Sequence, residues 1–162
     1  MKCFISGTAG FGHSVITTLP DTVRDCIINL VTDGVDILIG DCQGVDFLVQ
    51  QELKNLNYHR VTVYCSGKRV RNNIGNWIVK NIIVPNGVFG RDFYAVKDYA
   101  MCSDCDVGLA IWDGKSYGTG RNISTLEQYK KPVYVYRIDE NTWTIPILCD
   151  DDVYKIENKE GR

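Results

Sequence analysis

No stretch of this 162-residue sequence stays apolar long enough to cross a bilayer, so a membrane-spanning helix is not expected. The opening Met-Lys-Cys-Phe-Ile-Ser-Gly loses its apolar run at Gly7, too early for a secretory leader. Histidine is scarce. The two present, His13 and His59, stand far apart, and no Ser-His-Asp arrangement suggests itself. Cys102-Ser103-Asp104-Cys105 has the spacing of half a metal site, but no second Cys or Cys/His pair stands at a suitable interval, so no metal is expected. Internal repeats and low-complexity segments are missing too. Charge of one sign is also missing: 18 Lys+Arg against 20 Asp+Glu leave a net -2. On that balance a nucleic-acid partner held by bulk charge is not expected. Seven cysteines, an odd number, are spread along the chain. Cys3, Cys42 and Cys65 fall in or beside expected strands, where reduced thiols act as small apolar residues, and a cytoplasmic location follows as the expectation.

What is present begins with Asp106 to Asn122. Val107 to Trp112 is a nearly unbroken apolar run and reads as a strand covered on both faces. Polarity switches at Asp113. Gly114, Ser116, Gly118 and Gly120 then allow close backbone approach, and a helical pattern starts near Thr119, with Ile123 and Leu126 three apart. A strand, a glycine-rich loop and a helix start together can hold an anion, because the first helical turn presents N–H groups and a partial positive charge. The spacing fits neither the Walker A loop nor the dinucleotide fingerprint.

The remaining chain alternates strands and helices. Expected strands are Lys2 to Ser6, Asp36 to Ile39, Arg60 to Tyr64, a short Ile82 to Val84 before Pro85, and Val133 to Arg137. Expected helices open at Pro20, with Val23, Ile27, Leu30 and Val31 on one face, and after Gly44, with Val45, Leu48, Val49, Leu53 and Leu56. A third runs from Asp92 to Ser103, with Val96, Tyr99 and Ala100 at helical spacing. Thr144 to Leu148 and Val153 to Ile156 could pair as edge strands. The pattern implies an α/β fold: a Rossmann-like, doubly wound, mostly parallel sheet with helices on both faces. Residues 1–138 form the domain in this reading, and 139–162 an extension packed on it. The length suits one core.

Ligands of such sheets sit beyond the carboxyl ends of the strands, where the strand order reverses. Three strands end there in small or polar groups: Ser6-Gly7-Thr8, Gly40-Asp41 and Asp113 to Gly120. Ser116, Gly118, Thr119 and Gly120 are candidate phosphate donors; an ordinary connection is the alternative. Gly40, Asp41, Gly44 and Asp46 form a second loop, where an Asp either accepts from a sugar hydroxyl or caps the helix. Arg69 and Arg71 could clamp a phosphate or be solvated. They belong to a block from Ser66 to Lys97 with six basic residues and one acid, which suits a small anionic ligand or an exposed mixed surface. Trp77 and Phe89 could stack on a base or pack locally. Asp98, on a helix, could position sugar hydroxyls or act as an acid or base. His13, in the first glycine-rich loop, could reach the crevice, whereas His59 is expected at the surface.

Ile5-Ser6-Gly7, Gly40-Asp41-Cys42-Gln43-Gly44-Val45-Asp46 and Ser116-Tyr117-Gly118-Thr119-Gly120-Arg121-Asn122 together resemble the SLOG superfamily over about residues 2 to 137. These are Rossmann-like proteins related to the "lonely guy" phosphoribohydrolases and to DNA-processing protein A. In the phosphoribohydrolases the last motif is Gly-Gly-x-Gly-Thr with a glutamate three residues after the threonine; the similar deoxynucleotide N-hydrolases have Ser-x-Gly-x-Gly before that glutamate. Gly118-Thr119 and Ser116 match, but the glutamate's place falls on Asn122. Asp98 matches a substrate-positioning aspartate of the N-hydrolases. The resemblance implies phosphate on Ser116 to Gly120 and sugar near Asp98 and Asn122. Self-association is compatible with it, since relatives pair helices.

An N-glycosidic bond breaks through an oxocarbenium-like state that a carboxylate stabilises or attacks, and asparagine brings no charge to it. The expectation is therefore a nucleotide-binding or sensing protein, with no cofactor. The alternative is a nucleotide N-glycosidase that uses Asp41, Asp46, Asp98 or Asp113 instead.

Overall fold

The computed structural model describes residues 1–9 and 16–144. Seven strands form one sheet: β1 (Lys2–Gly7), β2 (Asp36–Gly40), β3 (Val61–Ser66), β4 (Ile78–Ile82), β5 (Val107–Trp112), β6 (Val133–Arg137) and β7 (Thr142–Thr144). Helices α1 (Asp21–Thr32), α2 (Val45–Asn55), α3 (Gly90–Asp104) and α4 (Tyr117–Gln128) connect them. The order across the sheet is β4-β3-β2-β1-β5-β6-β7. All pairings are parallel except β6 with β7. The architecture is the expected Rossmann-like α/β fold.

Alternation along the strands explains the two layers of helices. Ile5, Ile39 and Ile111 face Val23 and Ile27 of α1 and Val45 and Val49 of α2. Their neighbours Phe4, Leu38 and Ala110 face Met101 and Cys102 of α3 and Leu126 of α4. Each such aliphatic side chain, fully buried, contributes roughly 1.5–3 kcal/mol. From β1 the chain steps outward through β2 and β3 to β4, then returns to lay β5 against the other side of β1. The reversal lies between β1 and β5, with Ser6 beside Ala110 and Gly7 beside Ile111.

Several boundaries differ from those read in the sequence. The fourth strand is Ile78–Ile82, not Ile82 to Val84. It is an edge strand with little cover, so apolar content misplaces it: Ile83, in the expected strand, is 89% exposed. On α3 the buried residues are Ala95, Lys97, Met101 and Cys102, whereas Tyr99 of the expected stripe is exposed. Helix α4 begins at Tyr117, two residues before the apolar periodicity does. The strand expected from Thr144 starts at Thr142. The rest of that segment, Val153 to Ile156, and the loop with His13 lie outside the described residues. Among the described residues no helix is long and apolar enough to cross a membrane.

Candidate functional site

At the carboxyl ends of β1, β2 and β5 lies a cleft of about 740 Å³. It is in the range typical of small-molecule sites and sits at the topological switch point. Its position follows from the packing of two loops on β1. Thr8 N–H donates to Ile111 O, and Thr8 O accepts from Val45 N–H, so one residue ties β1 to β5 and to the start of α2. Gly7 permits this approach: a Cβ there would lie 2.3 Å from Val45 Cγ1. Gly44, at φ 76°, turns the chain into α2 through a conformation that favours glycine.

The loop after β5 is built around one carboxylate. Asp113 Oδ1 accepts from Lys115 N–H (2.9 Å), Ser116 N–H (2.7 Å) and Ser116 Oγ (2.8 Å). Asp113 N–H in turn donates to Thr8 Oγ1. Ser116 occupies the N-cap position of α4, yet its side chain makes no cap hydrogen bond. A serine there ordinarily satisfies an amide of the first turn. Here the hydroxyl goes to Asp113 and lies 3.1 Å from Thr8 Oγ1. The helix ladder starts with Gly120 N–H donating to Ser116 O. Tyr117, Gly118 and Thr119 of the first turn all line the cleft, and among the described residues no side chain caps that turn. Among the described residues a Cβ on Gly118 would meet only an Arg121 guanidinium nitrogen, at 3.8 Å, so the core does not demand glycine there.

Charges converge on the opposite wall. Lys97 is buried on α3. Its Nζ donates to Asp98 Oδ1 at 2.5 Å, and Arg121 Nη2 donates to Asp98 Oδ2 at 3.0 Å. Burial works against the Lys97 charge, but Asp98 and then Asp46 outweigh it and hold the ammonium above its ordinary pKa. Arg121 also lies over the Tyr99 and Tyr117 rings at 5.4 and 5.9 Å. Its buried Nε has no hydrogen-bond acceptor among the described residues.

Asp46 lies above Gly40, where a Cβ would come within 2.4 Å of its Oδ2 and 3.1 Å of Lys97 Nζ. Its Oδ2 accepts from Cys42 N–H. Burial, only partly offset by Lys97, pushes the Asp46 carboxyl up to about 6. Asp41 is buried and paired with Arg71: Nη2 donates to Oδ1 at 2.6 Å, and Arg71 N–H donates to Oδ2. The Arg71 guanidinium lies 4.2 Å from the Tyr94 ring centroid.

Ser6, Gly7, Asp46, Asp98, Asp113, Ser116, Gly118, Thr119 and Asn122 therefore all line the one cleft. Asn122 is buried in its wall. Gly40, Asp41, Gly44 and Gly120 stand behind it as support. Gly120 packs on Trp112, where a Cβ would come within 3.1 Å. Arg69 is not at this cleft. It lines a smaller neighbouring depression, and of these two candidate arginines Arg71 reaches the main one. Trp77 packs locally, its Nε1 donating to Tyr58 O, and Phe89 is exposed. His59 is exposed, as expected. Cys102 and Cys105 are buried free thiols, and Cys105 Sγ donates to Cys102 O.

Comparison with known proteins adds a fold relationship. No protein-family model matches the chain, and no curated protein does. A solved structure of DNA processing protein A from Helicobacter pylori, described for its single-stranded DNA binding mode, is similar at 13% identity with a TM-score of 0.55. The match covers 98% of this chain and 74% of that one. The likeness is one of fold.

It corrects the reading that a nucleic-acid partner is not to be expected. That protein has a similar fold and binds single-stranded DNA, which stands against that expectation. The summed -2 averages over a surface that is not uniform. Around the cleft, Arg71, Arg91, Lys97, Lys115 and Arg121 outnumber Asp46, Asp98 and Asp113. It is the local field that a ligand meets.

Sequence reasoning counted Lys97 in the basic block and Arg121 in the last motif, but singled out neither, nor Tyr94, as a site residue. Lys97 carried a signal, standing four residues before Met101 on the buried stripe of its helix. Arg121 and Tyr94 carried none, since a helical arginine and tyrosine usually face solvent.

Proposed function

We propose that this chain binds a nucleotide or nucleotide-derived ligand as a sensor or binding protein. Its phosphate sits on the first turn of α4 and its sugar lies toward Asp98 and Asn122. The observation that carries this reading is the uncapped turn: Ser116 spends its hydroxyl on Asp113, and Tyr117 to Thr119 open on a cleft with a surplus of cations. Such a turn receives anions through its N–H groups and its partial positive charge. The resemblance to the SLOG superfamily belongs to the same proposal.

Asn122 supports binding over efficient hydrolysis, because the cation of a glycosidic transition state meets an uncharged amide there. Asp98, Asp113 and Asp41 are occupied by Arg121 and Lys97, by the Ser116 turn, and by Arg71. Asp46 favours the second reading, an N-glycosidase. Its pKa of about 6 is close to what a general acid or base at neutral pH needs. Single-stranded DNA is a further candidate ligand, on the fold likeness and the local cation surplus.

The test is incubation of the purified chain with a panel of 5′-mononucleotides, following heat of binding and base release together. Saturable binding without base release supports the sensor reading. Catalytic release of free base that Asp46→Asn abolishes overturns it in favour of the hydrolase. Absence of binding to every mononucleotide refutes both. Salt-dependent retention of single-stranded DNA would support the third ligand class.

A further inference from the structure

Beside the main cleft is a second depression of about 310 Å³, lined by Asp41, Ser66, Lys68, Arg69, Arg71, Phe93 and Tyr94. Arg71 and Tyr94 line both hollows, so this stacked pair, 4.2 Å from guanidinium carbon to ring centroid, is the partition between them. Among the described residues Asp41 is the one acid in the second hollow, and Arg71 neutralises it. Lys68 and Arg69 are exposed, and among the described residues neither enters an ion pair. The hollow therefore presents uncompensated positive charge. It also has an aromatic wall: Phe93 and Tyr94 meet edge to face, with centroids 5.2 Å apart at 82°.

We infer that the two hollows form one bipartite site, and that its ligand carries two nucleotide units with an anionic group for each chamber. The inference rests on the nucleotide reading of the main cleft. A mononucleotide anchored at α4 leaves Lys68 and Arg69 without a partner, whereas a second unit passing Arg71 reaches them. The shared Tyr94 and neighbouring Phe93 give the second chamber aromatic surface for the second base, and base-on-aromatic stacking of this kind tolerates any base. The size of the second hollow lies at the lower end of the range for small-molecule sites, enough for one unit and not for an extended ligand. The same chemistry is found in a free dinucleotide and at the end of a single strand.

The experiment compares the four 5′-deoxymononucleotides with their 5′-phosphorylated homodinucleotides and ten-nucleotide homopolymers by titration calorimetry. A dinucleotide at least tenfold tighter than its mononucleotide is expected. Lys68→Ala/Arg69→Ala, two exposed positions, should bring that ratio close to one. A ten-nucleotide strand no tighter than the dinucleotide assigns the site to a free dinucleotide, and one markedly tighter assigns it to a strand end. A wild-type ratio below two, or one the double variant leaves intact, overturns the bipartite site while the nucleotide reading stands. Failure of every probe to bind removes both.

Discussion

Lys97 and Asp98 are sequence neighbours whose charged groups meet at 2.5 Å inside the protein, with Arg121 closing on the other carboxylate oxygen. Consecutive helical residues point about 100° apart, so the pair spans the junction between the sheet-facing side of α3 and its cleft-facing side. Removing Lys97 leaves Asp98 held by Arg121 alone and takes from buried Asp46 the cation that offsets its burial. Lys97→Met should cost about 1.5–3 kcal/mol in urea unfolding. A loss below 1 kcal/mol would mean that the ammonium reaches water.

Gly118→Ala separates structure from binding. The added methyl meets nothing closer than 3.8 Å, and alanine is the better helix former by about 1 kcal/mol. The variant should therefore melt at or above the wild-type temperature. If phosphate lies on this turn, mononucleotide affinity should fall at least tenfold. Unchanged affinity would move the phosphate elsewhere.

Gly7→Ala should do the reverse. Its methyl would overlap Val45, costing roughly 1–3 kcal/mol as overpacking does. Pairing it with Val45→Gly, which removes the Cβ at 2.5 Å as well as both γ-methyls, should recover part of the loss. A double variant no better than additive in thermal unfolding would argue that the β1–α2 contact relaxes freely.

Asp46 gives a pH dependence with a definite sign. Its folded carboxyl titrates near 6, against 3.8 when exposed. Between those values the folded chain holds a proton that the unfolded chain has released. The stability from this group is fully present below the unfolded value and is lost as pH rises through 6, on the order of 3 kcal/mol in all. Asp36, Asp104 and Asp139 are shifted downward, so their effects fall below this window. In urea melts from pH 4 to pH 7, Asp46→Asn should gain on the wild type steadily. Parallel curves for the two proteins would contradict the buried-acid assignment.

The fold was legible where both faces of a strand are covered. Val107 to Trp112 and Asp36 to Ile39 read as strands because parallel burial demands unbroken apolar runs, and the structure places strands there. Legibility failed at β4, where one edge faces water and Ile78 and Ile83 are exposed. It failed on α3, where a lysine fills a core-facing position that pattern reading assigns to apolar residues. In the site, the loops at Ser6, Asp41 and Asp113 were recoverable because strand ends must converge at the switch point. The ion pairs that dress the cleft were not, since which helix faces which depends on tertiary packing that no local spacing encodes.

Helix α3 anchors Met101 and Cys102 against the sheet while presenting Asp98 to the cleft. Whatever neutralises or bridges Arg121 is therefore felt by the element that clamps one whole layer of the domain. Occupancy should register as a rise in melting temperature proportional to the logarithm of free compound. A dye-based thermal screen of nucleotides then becomes a direct test of the proposed binding.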